Sequence, residues 1–587
     1  MLILDMLFWL AIIFFLLKTP VIATSDFTIN EKLEYLLNTS GVATVTHQVD
    51  ITNNFSQIYP NEYRIQIQGL PISDLSATDN NGNILTSFTL DKNNNALINL
   101  RLNQPKVGKG QTNTMKLIYR IADFAIHKGK TWEIAFPQMA DTSLDNTQIT
   151  LITPTDFGTL SFASTPVKFE DGLAQNTITF RDNSNTKVLI ILGNYQLFNF
   201  KLNYTINNPT NELITSEIAL IPDTYSQSVY YQSILPPPLS INIDSDGNWL
   251  AGYQLKRKEK LNIIATGQVK TGLHLPNILE NFDSYLGDQT FWPVSDSQIQ
   301  NIAQSLTTSR SIYSYVVNTL DYNYDRINSS GRLGALAAIN NPKNSLCTEF
   351  TDLFVTLARA KGIPAREIEG FAYSNNPKIK PVNLQSDILH AWPEFYDTTA
   401  KTWKAIDPTW GKTTNGIDYF NDLDLNHITF VIHGLNSQNP LPPGSYKSEA
   451  NEKSIFIDFA TEELRGLATL PSVSFQNQKL ILQNSTPNSL KNLSISTPDK
   501  SFNQKIDTIL PYSSNHISLP KISFWQSLLP KNQKITLIIK NEDDQMSTQT
   551  INYSPHFINL GITIIVSLII LTISGIIITS RTHEKNS

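Results

Sequence analysis

Between Thr24 and about Ala125 the chain alternates apolar and polar residues in short runs. GVATVTHQVDITNN and YRIQIQGL change character at every second position, and DNNGN and DKNNN break them with turn residues. A period of two puts one face of each run in a core and the other in solvent, as a strand does. Strands at this spacing predict a β-sandwich over 24–126. The pattern runs on to Gly272 through TQITLITP, NTITFRD, KVLIILG and FNFKLNYTI. It predicts a second β-rich domain over 127–276, as a separate sandwich or an enlargement of the first. LPPPL, Leu235 to Leu239, interrupts it.

After Asn277 the period changes. Ile299, Ile302, Ala303 and Leu306 form one helical stripe, with Ser295 or Asp296 as its cap. Helices then mix with strands, which predicts an α+β domain over 285–434. Leu435 to Lys453 is rich in Pro, Gly, Ser and Asn and reads as a linker. Alternation returns in SIFIDFA, QKLILQN and KITLIIKN and predicts a C-terminal β-sandwich over 454–552. No fixed-period repeat is present.

The two ends differ from the rest. Met6 to Leu17 is apolar, and Lys18, Pro20 and the small-residue site VIA follow it. This predicts a secretory signal peptide over 1–23. Asp5 stands where a basic residue is usual, so an uncleaved anchor is the alternative. Phe557 to Thr579 carries no charge, and Arg581 and Lys585 follow. The expectation is a C-terminal transmembrane helix over 557–579 with a cytoplasmic tail at 580–587. The protein is then a single-pass cell-membrane protein with its bulk outside the cytoplasm.

The chain has 587 residues, a net charge of -6 and one cysteine. At roughly 100–200 residues per domain, about three to five domains are expected. Mixed charge of this kind points away from nucleic acid. One cysteine forms no disulfide within the chain, so Cys347 is either a buried small hydrophobe or kept for its chemistry. The Asn-x-Ser/Thr sites at Asn54, Asn203 and Asn492 arise easily in so asparagine-rich a chain.

The surroundings of Cys347 favour chemistry. Phe350, Leu353, Phe354, Leu357 and Ala358 form the stripe of an amphipathic helix. Asn344 or Ser345 is the expected N-cap, and Gly362, Ile363 and Pro364 mark the stop. Cys347 therefore lies in the first turn, beside unpaired N–H groups and the positive end of the helix dipole. These stabilise a thiolate and can hold an oxyanion.

Downstream, HAWPEFY and TWKAIDP flank the polar turn DTTAK. This predicts a β-hairpin whose simplest register places His390 directly opposite Asp407. Opposed residues have Cβ atoms about 4.5–5.5 Å apart. A carboxylate there holds one imidazole nitrogen and leaves the other for a thiol. Pro393 opposes this register, because it donates no ladder hydrogen bond. A lone histidine is usually structural, Asp before Pro is usually a turn, and Trp392, Trp403 and Trp410 suit a core. The joint pattern is what points to a nucleophile with its base.

SLCTEFTDLFVTLARAKGIPAREIEGFAY and HAWPEFYDTTAKTWKAIDPTWG resemble the transglutaminase-like superfamily, over about Asp296 to Gly434. The resemblance implies a papain-like cysteine-enzyme core, with Cys347 as nucleophile, His390 as general base and acid, and Asp407 as orienting carboxylate. Trp392 is the candidate substrate-binding residue. The fold class implied is multidomain: an α+β transglutaminase-like core, flanking β-sandwiches and the C-terminal transmembrane helix. Asn344, Ser345 and Leu346 precede the cysteine where the family often has a glycine. Some members use an upstream tryptophan as oxyanion donor. Here the nearest aromatics are Tyr313, Tyr315, Tyr322 and Tyr324, none assigned that role. Eukaryotic members need calcium, but NGIDYFNDLDLNH, Asn415 to His427, lacks calcium-loop spacing and reads as a solvated loop. His427 and His433 lack partners at metal-ligand spacing, so no metal and no cofactor are expected.

The expected activity is acyl transfer from a protein or peptide carboxamide through a Cys347 thioester, to an amine or to water. The expected partners are protein or peptide substrates at the cell surface or envelope. The alternative is a catalytically silent surface interaction protein that uses the domain as a scaffold.

Overall fold

The computed structural model describes residues 25–584, apart from 68, 93–94, 137–146, 183–187, 329–330, 375–379, 381–388, 415–416, 443, 450–451, 465–468, 477–478, 519–532, 543 and 554–556. The expected signal peptide lies outside the described residues. The chain falls into two compact units that divide between Asn194 and Tyr195, with the short stretch 415–418 grouped with the first.

In the first unit, alternate side chains of Ala43–Asn53 are buried, as their period requires. This strand pairs antiparallel with Phe27–Leu37, which pairs in parallel with Thr147–Pro154. One eight-stranded sheet therefore crosses the expected boundary at 126/127. Parallel pairing joins strands far apart in sequence, and alternation carries no trace of it.

The second unit opens with a sandwich. Strands Gln227–Leu235, Lys260–Thr271, Gln196–Asn207 and Ile455–Phe459 form one sheet, and Ile214–Leu220, Trp249–Leu255 and Ser240–Ile243 the other. Leu202, Tyr204, Ile218, Trp249 and Val269 lie in the core between them. Ile455–Phe459 pairs with Gln196–Asn207. The first strand expected of the C-terminal sandwich thus belongs to this earlier one. The C-terminal sandwich itself begins at Ser472–Gln476 and ends at Met546–Tyr553.

Between Thr271 and Ile455 lies the helical part. Its sheet runs in the order Thr402–Ala405, His390–Asp397, Ala365–Ala372, His427–His433. The helix Cys347–Ala360 packs on it. Phe350, Leu353, Phe354 and Leu357 are fully buried among Trp292, Ile299, Ile312, Val316 and Phe395. Burying each such side chain contributes about 1.5–3 kcal/mol. The polar side of the helix is buried too. Asp352 accepts from the Trp292 indole at 2.8 Å, and Arg359 donates to the carbonyls of Gly287, Ala365 and Gly434.

The expected fold class needs correction. Strands make up 47% of the chain and helix 15%, so the molecule is mainly β rather than α+β. Among the described residues no helix is long and apolar enough to cross a membrane, so the expected C-terminal transmembrane helix is not found. The chain is helical over Phe557–Glu584.

The sandwich grips the edge of the helical part's sheet through two amides. Gln227 Nε2 donates to the Thr429 carbonyl at 2.8 Å, and its Oε1 accepts from Thr429 N at 2.8 Å. Asn248 does the same at Ile432, at 2.8 and 2.7 Å. Each side chain replaces one rung of a missing neighbouring strand.

Candidate active site

Cys347 is the first residue of its helix, and Leu346 is the N-cap. The cap is therefore neither Asn344 nor Ser345. The orphan N–H of Leu346 is satisfied from within the helix, by Glu349 Oε2 at 2.9 Å. Glu349 is fully buried. It also accepts from Leu333 N at 2.7 Å and from Arg326 Nη1 at 2.6 Å. One carboxylate thus fixes the segment before the cysteine and two loops beside it. Cys347 itself is partly exposed.

His390 begins its strand, opposite Gly370. A side chain at Gly370 would collide with the Ile428 carbonyl and the Trp392 ring, so glycine keeps this part of the sheet close-packed. His390 Nε2 lies 2.8 Å from Asp407 Oδ2, with both side chains fully buried. Trp410 stacks on the imidazole at 5.0 Å between centroids and 19° between planes. Nδ1 has no hydrogen-bond partner among the described residues. The Cys347 thiol is near enough to the ring to raise its affinity for a proton.

The contact between His390 and Asp407 is not a ladder pair. The hairpin register is Glu394↔Ala405, Phe395↔Lys404, Tyr396↔Trp403 and Asp397↔Thr402. It is shifted by two residues from the expected one, and pairing ends before His390. The loop Thr398–Lys401 is longer than the simplest turn, with Lys401 at φ 53°. Pro393 offers no N–H, and its carbonyl accepts from Ile406. Asp407 is instead the N-cap of the short helix Pro408–Thr413, and its Oδ1 accepts from Trp410 N at 2.9 Å. One oxygen caps the helix and the other holds the histidine.

Burial opposes a charged ring at His390, but Asp407 and then Cys347 outweigh it and push the imidazole up to about 9. Burial alone would raise Asp407, yet His390 and His427 hold it down at about 2. Tyr322 lies close to the thiol. Burial, then the charge of Cys347, raises its phenol well above the ordinary value, so it keeps its proton.

Trp392, the expected substrate-binding residue, is only 2% exposed and packs with Ile368 and Ile432. It is a wall behind His390, with ring centroids 6.0 Å apart.

The sequence reading did not single out Asp424 and Lys380, and it took His427 only as a histidine without partners at metal-ligand spacing. His427, Asp424 and Lys380 extend the His390–Asp407 pair inward. His427 Nδ1 lies 2.8 Å from Asp424 Oδ1, and Lys380 Nζ lies 3.1 Å from Asp424 Oδ2. His427 Nε2 faces Asp407 Oδ2 at 3.6 Å. The stretch expected to be a solvated loop therefore turns Asp424 and His427 inward. The only local signal was their spacing of three residues. The close approach of His390, Asp407 and His427 is accounted for by these ion pairs. A second cluster, Glu367, Glu369 and His433, has Arg332 Nη1 2.8 Å from Glu367, which supplies its balancing charge.

No curated protein sequence matches the chain. Among solved structures, a candidate cysteine protease from Cytophaga hutchinsonii aligns with 56% of this chain and 96% of its own length, at 14% identity and a TM-score of 0.30. The periplasmic domain of TgpA from Pseudomonas aeruginosa aligns with 38% of this chain and 91% of its own, at 14% identity and a TM-score of 0.20. For the M1 zinc metallopeptidase from Deinococcus radiodurans the shares are 32% and 46%, at 13% identity and a TM-score of 0.21. The model of the transglutaminase-like superfamily matches residues 294–408. That segment, which carries Cys347, His390 and Asp407, is a transglutaminase-like superfamily domain.

Proposed function

We propose that this domain is a cysteine-dependent enzyme acting on amides of proteins or peptides, with Cys347 as nucleophile, His390 as base and acid, and Asp407 as orienter. The observation that carries the reading is the imidazole of His390. Asp407 fixes it through Nε2 and leaves Nδ1 unpartnered among the described residues, and Cys347, a partly exposed thiol at a helix start, bears on the same ring. A carboxylate that accepts from one ring nitrogen sets the tautomer and supports the imidazolium.

In the first step the Cys347 sulfur attacks the carbonyl carbon of a carboxamide. The N–H groups of the helix start are free to hold the oxyanion as it forms. The carbon–nitrogen bond breaks, His390 gives its proton to the leaving ammonia or amine, and a thioester remains. In the second step an amine or water attacks the thioester, and His390 takes its proton as the sulfur leaves. An amine such as lysine yields a new amide, and water yields the acid. A glutamine side chain is the simplest donor.

The test is the rate of Cys347 alkylation by iodoacetamide across pH 5–9, in the full chain and in His390→Ala. Fast labelling at pH 6 that collapses in the variant supports the reading, and incorporation of a primary amine into a glutamine-containing protein would complete it. Slow labelling indifferent to His390 sinks it and leaves the scaffold role.

A further inference from the structure

His427 opens the edge strand His427–His433 and lies between two buried carboxylates. Its Nδ1 is 2.8 Å from Asp424 Oδ1 and its Nε2 is 3.6 Å from Asp407 Oδ2. Its side chain is 4% exposed. Trp410 and Trp392 cover the ring at centroid distances of 4.7 and 5.0 Å. An ionised carboxylate only accepts hydrogen bonds, so Nδ1 must carry a proton toward Asp424. A neutral ring would then aim the lone pair of Nε2 at the negative oxygen of Asp407 in a site closed to water. A protonated ring presents a donor to each carboxylate. Nε2 has no other partner among the described residues.

The charged groups around the ring alternate in sign. Lys380 faces Asp424, Asp424 faces His427, His427 faces Asp407, and Asp407 faces His390, which meets Cys347. The phenol of Tyr419 lies within reach of Lys380, Asp424 and Asp407. The rings of His427 and His390 have centroids 5.9 Å apart.

We infer that His427 is a standing imidazolium that shares Asp407 with His390 and so sets the pH range over which the Cys347–His390 pair works. The inference rests on the reading of that pair given above. His427 is a positioning residue, since it reaches the thiol only through Asp407 and His390. A second cation here repels the proton on His390 and favours the anion on Cys347. His390 therefore releases its proton at lower pH than it would beside Asp407 alone. Removing the charge raises its proton affinity and weakens its support for the thiolate.

Two measurements on the full chain test this. In histidine-15N-labelled protein the ring of His427, assigned by its loss in His427→Gln, should be protonated at both nitrogens at pH 7.5 and deprotonate only near 9. A neutral ring at pH 7.5 overturns the inference. In the alkylation profile, His427→Gln should move the midpoint for Cys347 upward by about one pH unit with the plateau rate largely kept. A lowered plateau with an unmoved midpoint means a structural role only, and also overturns it. If His427→Gln does not fold, Asp424→Asn serves for assignment. It removes the partner of Nδ1, and the His427 proton must then leave at lower pH. If native Cys347 shows no His390-dependent step, the enzyme reading fails, while the 15N titration still reports on His427 alone.

Discussion

Gly411 lies so close to Tyr313 that a methyl group on it would overlap the tyrosine hydroxyl. That hydroxyl accepts from Tyr419 N at 3.2 Å and donates toward the Asp407 carbonyl at 3.5 Å. Gly411→Ala should therefore push Tyr313 away and loosen the N-cap that carries Asp407. The expected loss is about 1–3 kcal/mol by urea unfolding, with slower alkylation of Cys347. Tyr313→Phe keeps the ring and strands the buried Tyr419 N–H, at a cost of about 1–3 kcal/mol.

Stability should fall on both sides of a plateau. His390, His427 and His433 hold their protons to about 9 in the folded chain, against about 6.5 for an ordinary histidine. The folded state binds more protons between those values. Their contribution is full below pH 6.5 and is lost as pH rises through about 9. Asp407 is depressed to about 2 from an ordinary 3.8. Its contribution is full above pH 3.8 and is lost as pH falls through about 2. Urea midpoints from pH 2 to 10 should show a plateau between about pH 4 and 6.5. In His390→Gln the alkaline fall should be shallower, and an unchanged slope would rule out a His390 contribution.

Glu349→Gln should damage the site without touching it. The substitution leaves Arg326, 8% exposed, without its carboxylate. Breaking such a pair costs about 3–5 kcal/mol. The segment that ends at Leu346 loses its charged anchor, and labelling of Cys347 should slow roughly tenfold or more. Thermal melting and iodoacetamide kinetics on one sample separate the two effects.

Asn248→Ala should expose one edge of the sheet. The N–H and carbonyl of Ile432 lose their partners together, at about 1–3 kcal/mol for each unpaired group. Hydrogen exchange at the Ile432 amide should accelerate more than at amides of Phe350–Leu357. Equal acceleration at both would mean global loosening instead.

The parts of the site that sequence made legible are those fixed within a few residues. The stripe from Phe350 to Ala358 placed Cys347 at a helix start because a helix period is local. His390 and Asp407 were paired correctly through an incorrect register. Asp407 followed by Pro408 carries the pattern of an N-cap before a proline at the first helical position. Read that way, it turns the chain out of the strand and toward His390. His427, Asp424 and Lys380 were illegible for another reason: each becomes meaningful only through a partner set by the fold. The fold was misjudged where strands join across long separations, as Thr147–Pro154 and Ile455–Phe459 do.

That last strand has a consequence for how such a chain can be cut, copied and recombined. Lys260–Thr271 and Ile455–Phe459 flank the same strand, Gln196–Asn207. The chain thus leaves the sandwich on one side of a single strand and rejoins it on the other, two strand spacings or about 10 Å away. The helical part with Cys347, His390 and Asp407 is a guest inserted into a host domain, tethered at both ends. A single nick within the guest would leave both fragments bound to the host. A gene fragment trimmed to residues 294–408 would lack the strand His427–His433 and expose its neighbour's open edge. The smallest piece that keeps these three residues with every strand of their sheet and of the host therefore runs from Tyr195 to Phe459.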